Sequence, residues 1–181
     1  MTAELITDAR NATGESPVWH PQENALYWVD IPAGRLHRWQ PDGQTRHWAA
    51  GGRLGCIVRS QQGHWLGAME SGVFHLTPQA DGRLVADKRA SVEHARPGMR
   101  FNDGRCDRQG RFWAGTMQTN MGAEPVGALY RYDATADGTV KPMQARLDKL
   151  IVPNGMAFSP DGKTLYVSDS HPSVQLIWAF D

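Results

Sequence analysis

Glu15, Asn102 and Asn154 are the residues whose types and spacing point most directly to chemistry. With Gly55 they open the first strand of four similar segments. A fold that sets those segments around one axis brings the four positions to a common opening. A carboxylate and two amide carbonyls are hard oxygen donors, the kind of ligand that Ca²⁺ or another hard divalent cation takes. Singly, each has a plainer explanation: an asparagine before glycine is a common turn residue, and a glutamate ahead of Ser-Pro is a solvated side chain. Their shared place in the repeat is what sets the cation reading beside that one.

Other chemistry has little support. There is no GxSxG elbow, no HExxH and no glycine loop of the phosphate-cradling kind. The seven histidines (His20, His37, His47, His64, His75, His94, His171) show no ligand spacing and read as strand or surface residues. Asp30 and Asp169 end equivalent second strands and read as turn caps rather than catalysts. Cys56 and Cys106 are far apart in sequence and outside a CxxC spacing, so a disulfide framework is not expected.

The elements that must position these residues come from a repeat. The four segments run from Glu15 to Asp30, Gly55 to Gly67, Asn102 to Gly115 and Asn154 to Asp169. Each reads as a short strand, a tight turn and a second strand rich in aliphatic and aromatic residues. Gln62-Gly63 and Asp161-Gly162 mark the turns, where glycine supplies a positive φ. A third strand follows at 34–39, 72–76 and 127–132. A further polar turn comes after it, at Pro41-Asp42-Gly43, Asp81-Gly82 or Asp137-Gly138. The segments start about 40, 47 and 52 residues apart, near the length of a four-stranded propeller blade. No apolar stripe of period 3.6 persists, so the chain reads as all-β. A β-sandwich is the rival, and the aligned repeats favour the propeller.

Four repeats are visible, and the fourth reaches Asp181 inside its third strand. The expectation is one incomplete propeller domain over residues 1–181, the N-terminal part of a longer chain; a complete four-bladed protein is the alternative. Nineteen basic and 19 acidic residues give zero formal net charge, which offers no electrostatic case for nucleic acid or an anionic membrane. No run approaches 18 apolar residues, and the first ten residues lack a basic-then-apolar pattern. A cytoplasmic protein is the resulting expectation; oligomeric state is not readable.

The residues also resemble a known family, the senescence marker protein-30, gluconolactonase and luciferin-regenerating enzyme group. Gly14-Glu-Ser-Pro-Val-Trp19 carries the resemblance, with Arg100-Phe-Asn-Asp-Gly104 and Gly110-Arg-Phe-Trp-Ala-Gly-Thr-Met117. Asn154-Gly-Met-Ala-Phe-Ser-Pro-Asp-Gly162 and Leu165-Tyr-Val-Ser-Asp-Ser170 complete it. The resemblance implies a six-bladed β-propeller, of which this chain supplies about four blades. It also implies one divalent cation in the central channel, Ca²⁺ or Zn²⁺, with Mg²⁺ or Mn²⁺ as alternatives. In the family a glutamate, an asparagine and an aspartate hold that ion. The first two map onto Glu15 and Asn154, and the aspartate, which is also the favoured general base, would lie beyond Asp181.

Arg100 and Asn102 match residues that hold the sugar lactone. Where some members place an acidic contact after Gly-Thr-Met, this chain has Gln118-Thr-Asn120, so Asn120 is the substrate contact expected there and sugar preference is expected to differ. The implied reaction is metal-dependent hydrolysis of an aldonolactone, with no catalytic base among these residues and the chain as given therefore inactive. Two other classes stay open: a calcium-binding regulatory propeller without lactonase activity, and a non-catalytic interaction propeller.

Overall fold

The computed structural model describes residues 2–134 and 138–181, and they form strands and turns without a helix. The strands are β1 Gly14–His20, β2 Ala25–Asp30, β3 Arg35–Trp39, β4 Thr45–Ala49, β5 Leu54–Arg59, β6 Trp65–Met69, β7 Gly72–Pro78 and β8 Leu84–Ser91. They continue as β9 Met99–Cys106, β10 Phe112–Gln118, β11 Gly127–Tyr132, β12 Lys141–Pro142, β13 Ala145–Leu150, β14 Pro153–Phe158, β15 Leu165–Asp169 and β16 Leu176–Phe180. Consecutive strands pair antiparallel into four sheets: β1-β2-β3-β4, β5-β6-β7-β8, β9-β10-β11-β13 and β14-β15-β16. This is the blade arrangement of a β-propeller. The two-residue β12 leaves its own blade and pairs parallel to β8, tying the third blade to the second.

The hydrophobic core lies between blades. Tyr27, Val29, Leu36 and Trp48 of the first blade pack with Leu54, Ile57, Trp65 and Leu76 of the second. Cys56, Leu66 and Val73 pack with Phe101, Phe112 and Tyr130 of the third. Leu129 and Leu150 meet Met156, Leu165 and Val167 of the fourth. A middle strand is therefore covered on both faces, which is why Trp65–Met69 is buried at every residue instead of alternating. Each large aliphatic side chain so covered contributes about 1.5–3 kcal/mol. The fourth strands have only one blade-facing side: in Thr45–Ala49 only Trp48 is buried.

The tight turns expected between first and second strands recur in matching form. Gly63 N donates to Ser60 O at 3.0 Å, Gly110 N to Asp107 O at 3.0 Å and Gly162 N to Ser159 O at 2.9 Å. Gly43 and Gly82 close equivalent turns after third strands, while Asp137 of the third such turn lies outside the described residues.

Asp30 and Asp169, both buried, do more than cap turns. Asp30 accepts the N–H groups of Ala12 and Thr13 at 3.2 and 3.1 Å, and Asp169 those of Ile151 and Val152 at 2.8 and 2.9 Å. In both blades one carboxylate clasps the two residues that lead into the first strand, at the same sequence offset. Cys56 and Cys106 are both free thiols, and burial pushes both up in pKa. Among the described residues no helix is long and apolar enough to cross a membrane.

Candidate functional site

The first strands of the blades line the axis: β1 packs against β5, β5 against β9 and β9 against β14, and β1 also reaches β9. All four carry a break in register near the same level. In β1 it follows Glu15, in β5 it falls at Gly55, in β9 it takes in Asn102 and Asp103, and in β14 it falls at Gly155, directly after Asn154. A bulge inserts a residue, bends the strand and re-aims the side chains beside it. In a closed propeller the first strands line the central channel, and bulges at matching places in their blades would set these residues at its mouth. Asn102 is one correction to the sequence expectation, since it is the fourth residue of β9 rather than the first. The motif alignment starts there because the ladder is interrupted there, not because the strand begins.

Gly55, the position without an oxygen donor, has a steric reason to be glycine. A Cβ on it would stand 2.5 Å from Phe101 O and 2.8 Å from Asn102 O. Blades two and three approach backbone to backbone at that point.

Arg100 and Asn102 are bonded to each other, and Asn102 reaches the main chain of Pro153, the residue before Asn154. Arg100 Nη1 donates to Asn102 Oδ1 at 2.9 Å and to Phe101 O at 2.9 Å, while Asn102 Nδ2 donates to Pro153 O at 3.1 Å. Asn102 is 7% exposed, so both ends of its amide are used inside the protein. Burial lowers the pKa of the Arg100 guanidinium, as does the neighbouring Arg53, while Glu15 and Glu70 act the other way. Glu15 thus lies within electrostatic reach of Arg100, and also of the Cys56 thiol. Arg53 is itself held by Glu70, with Nη1 to Oε1 at 2.6 Å, and His94 Nε2 donates to Glu70 O at 2.6 Å.

Among the described residues the half-buried Glu15 carboxylate makes no hydrogen bond or ion pair. Asn154 Nδ2 donates to Ser170 Oγ at 3.4 Å, and its main-chain oxygen accepts from Ser168 Oγ at 2.6 Å. Asn120 is exposed; its Oδ1 accepts Gly122 N at 3.1 Å, closing its own loop, and no contact joins it to the other four among the described residues.

Asp103 was not singled out from the sequence. It sits in Asn-Asp-Gly, which reads as a turn, yet here lies within a strand. Its Oδ1 accepts Gly104 N at 2.8 Å and its Oδ2 accepts Gly155 N at 2.9 Å, across the joint between blades three and four. Among the described residues no three His, Cys, Asp or Glu side chains gather as a metal cluster. A cation at this mouth would therefore draw on amide as well as carboxylate oxygen. The donors present suit that: a Glu15 carboxylate without a hydrogen-bond partner among the described residues and an amide at Asn154 are hard ligands for a hard ion.

Residues 13–181 match the sequence profile of the SMP-30/Gluconolactonase/LRE-like region. The chain belongs to this family. It is 38% identical over 171 residues to the 6-deoxy-6-sulfogluconolactonase of Pseudomonas putida, covering 93% of this chain and 55% of that protein. It is 33% identical over 194 residues to the pentonolactonase of Haloferax volcanii, covering 100% of this chain and 58% of that one. A crystal structure of the calcium-binding protein regucalcin from Agrobacterium tumefaciens superposes with a TM-score of 0.81 at 26% identity, over 97% of this chain and 57% of that one. The chain thus spans little more than half the length of these SMP-30/gluconolactonase/LRE-like relatives.

Proposed function

We propose that the protein carrying this chain hydrolyses a sugar lactone at the channel mouth, with one divalent cation, Ca²⁺ or Zn²⁺ (Mg²⁺ or Mn²⁺ in their place), held by Glu15 and Asn154. The observation that carries the reading is a half-buried Glu15 carboxylate, without a hydrogen bond among the described residues, within electrostatic reach of an Arg100 that is itself bonded to Asn102. The names of the relatives, a sulfogluconolactonase and a pentonolactonase, support the substrate class. A bound divalent ion would supply Lewis-acid polarisation of an ester carbonyl.

The residues of this chain do the rest of the holding. Arg100 donates hydrogen bonds to the sugar hydroxyls or ester oxygen, its guanidinium fork fixing the ring's orientation, and Asn102 holds that fork and has one amide hydrogen left, beyond the Pro153 bond, for the substrate. Asn120, on its loop, contributes to choice among sugars. No carboxylate among the described residues of the mouth is suited to take a proton from water. Glu15 is committed as a ligand, and both Asp103 oxygens already accept N–H groups from the backbone. The base is expected in the next blade of a six-bladed ring, so residues 1–181 alone are expected to be inactive. The substrate is a small molecule; the balanced charge supports neither nucleic acid nor membrane as partner.

A pH-stat assay of the full-length protein over a panel of aldonolactones tests this. Glu15→Ala or Asn154→Ala is expected to lower kcat/KM at least about a hundredfold, and a chelator to abolish turnover. Unchanged turnover in either variant with chelator present would remove the mechanism. The similarity to a calcium-binding regucalcin favours one second reading, a regulatory ion-binding propeller. Tight cation binding without turnover of any lactone would select it.

A further inference from the structure

Gly155 N–H stands between two acceptors. Asp103 Oδ2 lies 2.9 Å away, and the Oδ1 of the preceding Asn154 lies 3.0 Å away. Gly155 is the bulged residue of β14 and takes a φ of +55°, a conformation glycine adopts without strain. The bulge leaves its N–H outside the ladder, so some acceptor must satisfy it. If Asn154 supplied the only one, its amide oxygen would be tied to its own backbone, with one lone pair engaged and its direction set by that bond rather than by a cation. Asp103 reaches across from the third blade and offers a stronger, charged acceptor to the same N–H.

We propose that Asp103 is a positioning residue: it takes the Gly155 N–H so that the Asn154 amide oxygen is released to the cation. The inference rests on the reading of Glu15 and Asn154 as ligands. Two further contacts fit it. Ser168 Oγ, 2.6 Å from Asn154 O, pins the main chain on the other side, while the side-chain amide has a long bond from Nδ2 to Ser170 Oγ at 3.4 Å and its share of the Gly155 N–H. A carboxylate also suits the place better than an amide, because both of its oxygens face N–H donors, Gly104 on Oδ1 and Gly155 on Oδ2. An asparagine would retain at most one of the two bonds and set an NH₂ against the other donor.

The test is calorimetric titration of the cation-free full-length protein with Ca²⁺ alone, beside melting of the cation-free state. Asp103→Ala is expected to weaken Ca²⁺ binding about tenfold to a hundredfold, the range for groups that orient a ligand. Asp103→Asn is expected to fall between Asp103→Ala and the parent. Adding Asp103→Ala to Asn154→Ala should weaken binding no further than Asn154→Ala does alone. An unchanged affinity in Asn154→Ala would remove the ligand reading itself. A weakened Asn154→Ala beside an Asp103→Ala within twofold of the parent would overturn the positioning role and leave the ligand reading standing. So would a lowered cation-free melting temperature with unaltered affinity, or full additivity in the double variant. If Asp103→Ala does not fold, amide exchange at Gly155 in the parent decides. Protection that persists on adding Ca²⁺ supports the role, and exchange that accelerates on binding contradicts it.

Discussion

Glu15, Arg100, Asn102 and Asn154 differ in how they are held, and the difference predicts how they respond to change. Asn102 is buried and bonded at both ends of its amide, so its substitution is expected to disturb structure as well as substrate contact. Glu15 is half-buried and unpartnered, so Glu15→Ala is expected to abolish activity while leaving stability within about 0.5 kcal/mol, the usual range away from packed features. Chemical denaturation of parent and variant checks this. Of the candidate site, Glu15 and Asn154 could be named as candidates from the sequence because the repeat aligned them. Asp103 was not, because an Asp-Gly pair carries the composition of a turn, and only pairing in the sheet shows it to be mid-strand. Asn120 was placed by resemblance alone, and the structure gives it a loop-closing bond instead of a neighbour in the site.

Among the elements, the clasp at the entry to blades one and four carries a stability claim. Asp169→Ala would leave the N–H groups of Ile151 and Val152 without their acceptor in a buried place, at a cost of about 2–4 kcal/mol. Melting of that variant against the parent measures it, and a loss under 0.5 kcal/mol would show that the clasp does little.

The β9–β10 turn adds a pH dependence. Burial raises the Asp107 carboxyl, but hydrogen bonds from Trp113 Nε1 and from the Arg111 backbone and side chain outweigh it and hold the group below the usual range. A depressed carboxylate contributes stability that is complete above its unfolded pKa, about 4, and is lost as pH falls through the lower folded value. Asp107→Asn is therefore expected to be about 1–3 kcal/mol less stable at pH 7. Its stability should also decline less steeply than the parent's below pH 5.

The second and third strands were readable because apolar residues and Gly turns mark them. The fourth strands were not, because sequences such as Thr45-Arg-His-Trp-Ala49 bury one residue in five. The bulges were equally hidden, since a bulge is a mismatch between two strands and neither strand records it alone.

At the scale of the whole molecule, the blade is the unit that was legible and the ring is the unit that makes the site. Each blade keeps its apolar residues for its neighbours, and on the first strands Leu54, Ile57, Phe101 and Met156 join that packing while Glu15 and Asn154 stay outside it. That division would let Glu15 and Asn154, far apart in the chain, serve the one opening proposed for them without weakening the core. The relatives extend well beyond the length matched here, and the proposed base and the remaining blades are sought in that further length.

The most direct test is anomalous diffraction from crystals of the full-length protein grown with Ca²⁺ or Zn²⁺. One strong peak is predicted on the axis, with a Glu15 carboxylate oxygen and the Asn154 amide oxygen both at about 2.0–2.6 Å from it. A peak elsewhere, or the two side chains turned away from each other around a site that neither touches, would contradict the account.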